Sequence, residues 1–80
     1  VVAEVLGLFV RQAEIWRNQL DLAQPGLADT LHTIKGASRG VGANRLATAA
    51  EAAEHDPGRL AEVVDALEAT VAEIEAYRAR

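Results

Sequence analysis

Within an Ala-rich chain patterned for helix, the run His32-Thr33-Ile34-Lys35-Gly36-Ala37-Ser38-Arg39-Gly40-Val41-Gly42 places three glycines in seven positions. Each interior helical Gly costs about 1 kcal/mol relative to Ala, and Ala is abundant in this sequence. His32, Lys35 and Gly36 fall at i, i+3 and i+4, which is one face of a helix. That face carries an imidazole, nucleophilic near neutral pH without strong activation. Beside it stand a cation able to compensate negative charge and a bare patch where a side chain would have been. The combination suits a histidine that something large must reach, because the missing side chain leaves room for close approach. Gly40 and the small Ala37 fit the same demand less specifically. The plainer alternative is a surface histidine with a solvated lysine near it.

The motif H-x-x-K-G, followed by small residues and a further Gly, resembles that of the histidine-containing phosphotransfer (HPt) domain. Here it reads HTIKG, then ASRG, then VG, over about a dozen consecutive positions. The resemblance implies a phosphocarrier of a two-component phosphorelay. His32 would accept a phosphoryl group from a receiver aspartate or a histidine kinase, hold it as a phosphoramidate and pass it to a response-regulator aspartate. It implies no independent catalytic site and no cofactor, because the partner supplies the metal and the carboxylates. Lys35 would compensate phosphoryl charge, and Gly36, Arg39 and Gly40 would lie on the docking face. The family supplies a polar or acidic side chain from the following helix to hold one ring nitrogen. By that likeness Glu54, twenty-two positions after His32, accepts from Nδ1–H and leaves Nε2 to react, with Glu51 one turn earlier as the second candidate. Arg39 departs from the pattern, since many members carry Gly or Ala seven positions after the histidine. It could crowd the docking face or pair with an acidic group on the receiver.

Four amphipathic segments must position these groups. Val2, Val5, Leu6, Phe9, Ala13, Trp16 and Leu20 recur at helical steps and predict a first helix from about Val2 to Leu22. Val1, Leu8, Ile15 and Leu22 form a second apolar stripe, which either packs on a further neighbour or is left for a partner or further sequence. Gln24-Pro25-Gly26 breaks that helix. The second helix starts near Leu27 and runs toward Arg39 or Val41, burying Leu27, Leu31, Ile34, Ser38 and Val41, with His32, Lys35, Gly36 and Arg39 on a more exposed face. Gly42 ends it or lets it turn. Asn44 is placed to cap a third helix, with Leu46, Ala49, Ala50 and Ala53 inward. Asp56-Pro57 reads as N-cap and first helical position, His55 as a charge complement to the preceding helix end. A fourth helix carries Leu60, Val63, Val64, Leu67, Val71, Ile74 and Tyr77. Short connections between such helices specify one all-α domain over 1–80, an antiparallel four-helix bundle of up-down-up-down topology.

Composition narrows the partners. The chain has 80 residues, a net charge of −4, two histidines and no cysteine. The charge disfavours nucleic acid, and the absent cysteines exclude disulfides and thiolate metal sites. No apolar run reaches membrane-spanning length, and no signal peptide is visible. The chain begins with Val and has no Met, so it is expected to be cut from something longer. A cytoplasmic monomer meeting a receiver domain, a histidine kinase or both is the expectation. Two other readings stand beside it: the substrate domain of a chemotaxis-type histidine kinase, which uses a similar H-[ST]-I-K-G core, and a helical interaction module with no chemistry. A sensor-kinase dimerisation domain fits poorly, because Thr33 rather than an acidic residue follows the histidine and no Pro is near.

Overall fold

The computed structural model describes residues 2–80; Val1, assigned above to the second stripe of the first helix, lies outside them. The chain forms α1 (Val2–Gln19), α2 (Leu27–Gly40), α3 (Asn44–His55) and α4 (Leu60–Arg78), with a 3-10 turn at Pro57–Arg59 leading into α4. There is no strand among the described residues. Each helix packs on its two sequence neighbours around the bundle, α4 closing on α1, so α2 and α4 lie diagonally opposite. Gly7 lies against Arg78 while Arg17 meets Glu68, which makes α1 and α4 antiparallel. His32 and Arg39 meet Glu54 and Glu51 in reverse order, so α2 and α3 are antiparallel too. The expected four-helix bundle is the observed one.

Leu31, Ile34, Leu46, Val63 and Leu67 are fully buried at its centre. Ala47, Ala50 and Ala53 are buried beside Leu46 on α3, and side chains that small let its neighbours approach closely. Ala49, expected inward, is only half-buried. From α1, Phe9 and Trp16 pack edge to face with centroids 5.6 Å apart, a pairing worth about 0.5–1.5 kcal/mol beyond the area it buries. The second stripe is uncovered: Leu8, Ile15 and Leu22 are exposed, and so, contrary to expectation, are Val2 and Val5 of the first stripe, in the opening turn of α1. Tyr77, expected on the inner face of α4, is also exposed, because it is the last residue but one of the helix, beyond Ile74.

Three boundaries have local causes. The first helix stops at Gln19 rather than Leu22. Asp21 there turns the chain: its carboxylate accepts from the Ala23 amide at 2.9 Å and its carbonyl from the Gln24 amide at 3.0 Å, a local alternative to helix that Asp side chains offer. After α2, Gly42 takes φ +79°. Its amide donates to the Arg39 carbonyl at 3.2 Å, and the Ala43 amide donates to the Ser38 carbonyl at 2.8 Å. This pair of bonds is a Schellman closure, which requires the left-handed residue that Gly supplies. Ala43 is then already at the start of α3, so Asn44 becomes the first helical residue and caps nothing, contrary to the sequence expectation. Asp56 does cap as expected, accepting from the Gly58 amide at 3.0 Å with Pro57 next in line. Just beyond, the hydrogen bond from Arg59 holds the exposed Glu62 carboxyl below its ordinary range.

Candidate functional site

The α2 face opposite the core is set by the positions of its apolar residues. Leu31, Ile34 and Ser38 point inward. His32, next to Leu31 in sequence, therefore turns outward, and its side chain is 75% exposed. Lys35 follows Ile34 and stands four residues after Leu31, at the edge of the buried stripe. It is accordingly not on the open face as the sequence suggests: its side chain is only 16% exposed and is drawn against α3. There it meets Glu54, itself 19% exposed, with Nζ 3.3 Å from Oε1 and donating to Oε2 at 3.5 Å.

Glu54 Oε1 is also 3.7 Å from His32 Nδ1. That is too long for a hydrogen bond. Its contact with Lys35 Nζ, though short, lacks hydrogen-bond alignment, so Oε1 is a buried acceptor with no hydrogen bond of its own. A buried carboxylate oxygen without a donor is uncommon, and here the nearest uncommitted ring nitrogen is that of His32. The geometry thus assembles His32, Lys35 and Glu54 into one cluster across the α2–α3 seam. Glu51, the second candidate for the histidine, is engaged elsewhere: its Oε2 is 3.6 Å from an Arg39 guanidinium nitrogen.

Gly36 and Gly40 are exposed, and neither takes a positive φ. A Cβ built on either would meet nothing within 4 Å. Neither glycine therefore serves packing or backbone conformation, in contrast to Gly42. Ser38 is fully buried, and its hydroxyl has no hydrogen-bond partner; the core uses its size and nothing in the structure explains the hydroxyl. Among the described residues no group of His, Asp and Glu is gathered that could hold a metal ion, and no helix is long and apolar enough to cross a membrane.

The four-helix bundle thus presents one exposed histidine, His32, beside a bare helical patch. The family model of the Hpt domain matches residues 4–80, and the chain belongs to that family. Hpt domains are phosphocarrier modules of two-component signalling that exchange phosphoryl groups with kinases and receiver domains, and are not in general catalysts in their own right. No curated protein and no solved structure matches the chain significantly.

Proposed function

We propose that His32 is the phosphoryl acceptor of this Hpt domain and that the chain relays the group between a receiver aspartate or a histidine kinase and a response-regulator aspartate. The observation that carries the reading is the pairing of an exposed His32 with Gly36 and Gly40, whose cost to the helix has no counterpart inside the molecule. Only an approaching partner benefits from their bareness.

The step balances simply. In the tautomer with hydrogen on Nδ1, the Nε2 lone pair attacks the phosphorus of an aspartyl phosphate. The P–N bond forms, the P–O bond to the aspartate breaks, and the carboxylate departs with its electrons. No proton need leave, so the phosphorylated ring is positively charged while Nδ1 keeps its hydrogen. Glu54 stands where it can accept that hydrogen, closing the 3.7 Å gap as the ring gains charge. Lys35, fixed by Glu54, supplies positive charge beneath the incoming phosphoryl group. Gly36, Gly40 and Arg39 line the docking face. The reverse sequence returns the phosphoryl group to a second aspartate.

The test is a transfer assay. Wild type and His32→Gln are incubated with phosphorylated receiver domains, and the chain is examined for acid-labile, base-stable phosphate. Label on wild type alone is the expected result, with the variant's stability within about 0.5 kcal/mol of wild type because the position is exposed. Label retained by His32→Gln would move the acceptor to another residue, and none on wild type from kinases and receivers alike would replace this reading with that of an interaction module. The substrate domain of a chemotaxis-type kinase uses the same chemistry and differs only in its donor. Labelling by a kinase ATP site in preference to a receiver would select it.

A further inference from the structure

The two cations of the α2 face are held very differently. Lys35 is half-buried and bound by a half-buried carboxylate. Arg39 is 56% exposed and meets only the exposed Glu51, at 3.6 Å and without a hydrogen bond. An exposed pair of that length contributes little and is readily exchanged for another anion. A helical side chain leans toward the helix N-terminus and covers the turn before its own Cα. For Arg39 that turn contains Lys35 and Gly36. Yet the space over Gly36 is empty to 4 Å, so the guanidinium is drawn aside to α3 instead of lying on the patch. Glu51 is the carboxylate it meets there. Many members of the pattern the chain resembles carry Gly or Ala at this position, where this chain has the guanidinium.

We propose that Arg39 is a specificity-determining residue for the receiver that docks on this face, and that Glu51 is a positioning residue that holds it off the Gly36 patch. The inference rests on His32 being the phosphoryl acceptor. An incoming carboxylate at the rim of the receiver's acceptor pocket takes over Arg39 from Glu51, and the patch stays clear. A receiver with a neutral or basic rim offers no such exchange and gains nothing from Arg39, which stays on Glu51. The partner that fits is therefore a receiver domain with an acidic side chain at that rim.

The experiment uses two phosphodonors on wild type, Arg39→Ala, Glu51→Gln and His32→Gln. Phosphoramidate, a small donor that requires no docking, reports whether His32 itself reacts. The second donor is the phosphorylated receiver domain that labels wild type fastest from a panel, with its rim carboxylates replaced in turn by Ala. Phosphoramidate is expected to label wild type, Arg39→Ala and Glu51→Gln alike and His32→Gln not at all. One rim replacement is expected to slow labelling of wild type about tenfold and labelling of Arg39→Ala less than twofold. Glu51→Gln, with Arg39 free to settle over Gly36, is expected to slow the rim-replaced receiver severalfold further. The same discrimination in wild type and Arg39→Ala, or none in wild type, overturns the selectivity role while leaving His32 as the acceptor. Absence of label on His32 from both donors overturns the acceptor reading and the selectivity role with it.

Discussion

Glu54 serves two neighbours with different demands. Lys35 needs its charge permanently, since a half-buried ammonium without a counterion is costly. In the proposed transfer step His32 would draw on the free Glu54 oxygen, Oε1, most when the ring is positive. Glu54→Gln keeps the shape and removes the charge. Lys35 then loses its partner, which lowers stability by about 1–2 kcal/mol, measured by denaturant unfolding. The amide can also turn its NH2 toward Nδ1, which favours the tautomer with hydrogen on Nε2, the wrong one for attack. Nitrogen-15 imidazole spectra should show that shift, and phosphoryl uptake should slow about tenfold, equivalent to roughly 1.4 kcal/mol of barrier. An unchanged tautomer ratio would leave Glu54 as a partner of Lys35 alone.

At the scale of the helix, Gly36 separates stability from function. Its Cβ position is empty space, so Gly36→Ala should stabilise α2 by up to about 1 kcal/mol, raising Tm by roughly 4–8 °C for a domain of this size. The same variant should slow transfer from a receiver, and Gly36→Gln should slow it more. Unchanged kinetics with raised Tm would remove the argument that the glycine exists for access. The four helices and this face were legible in the sequence because the apolar steps of α2 assign every residue of the motif except Lys35 to its inner or outer side. Other features depend on contacts that no single segment contains. The division of labour between Glu51 and Glu54 follows from the α2–α3 register, which the three-residue connection through Gly42 fixes. Glu54 thereby falls level with His32 and Lys35, and Glu51 falls level with Arg39. The half-burial of Lys35 arises from that same approach of α3. Asn44 looked like a cap because the Schellman closure one residue earlier has no signature beyond a glycine.

Across the whole molecule the charges are unevenly placed. The α4 helix carries Glu62, Asp65, Glu68, Glu73 and Glu75 against Arg78 alone, so the net negative charge of the chain resides there. It lies diagonally opposite the His32 face. A receiver with an acidic rim is therefore repelled by the α4 side of the bundle, and the question is whether that repulsion reaches the docking face. The bundle is 18–19 Å across its short axes. The screening length is about 8 Å at 0.15 M ionic strength and about 30 Å at 0.01 M. At the higher salt the α4 carboxylates are more than two screening lengths from the docking face, and the Lys35–Glu54 and Arg39–Glu51 pairs on that face govern approach. At the lower salt the repulsion reaches through. Asp65→Asn combined with Glu73→Gln, both exposed, should therefore leave the transfer rate at 0.15 M within twofold of wild type and raise it severalfold at 0.01 M. Equal effects at both salts would mean that the receiver touches α4 directly, and the docking face would have to be moved around the bundle to include it.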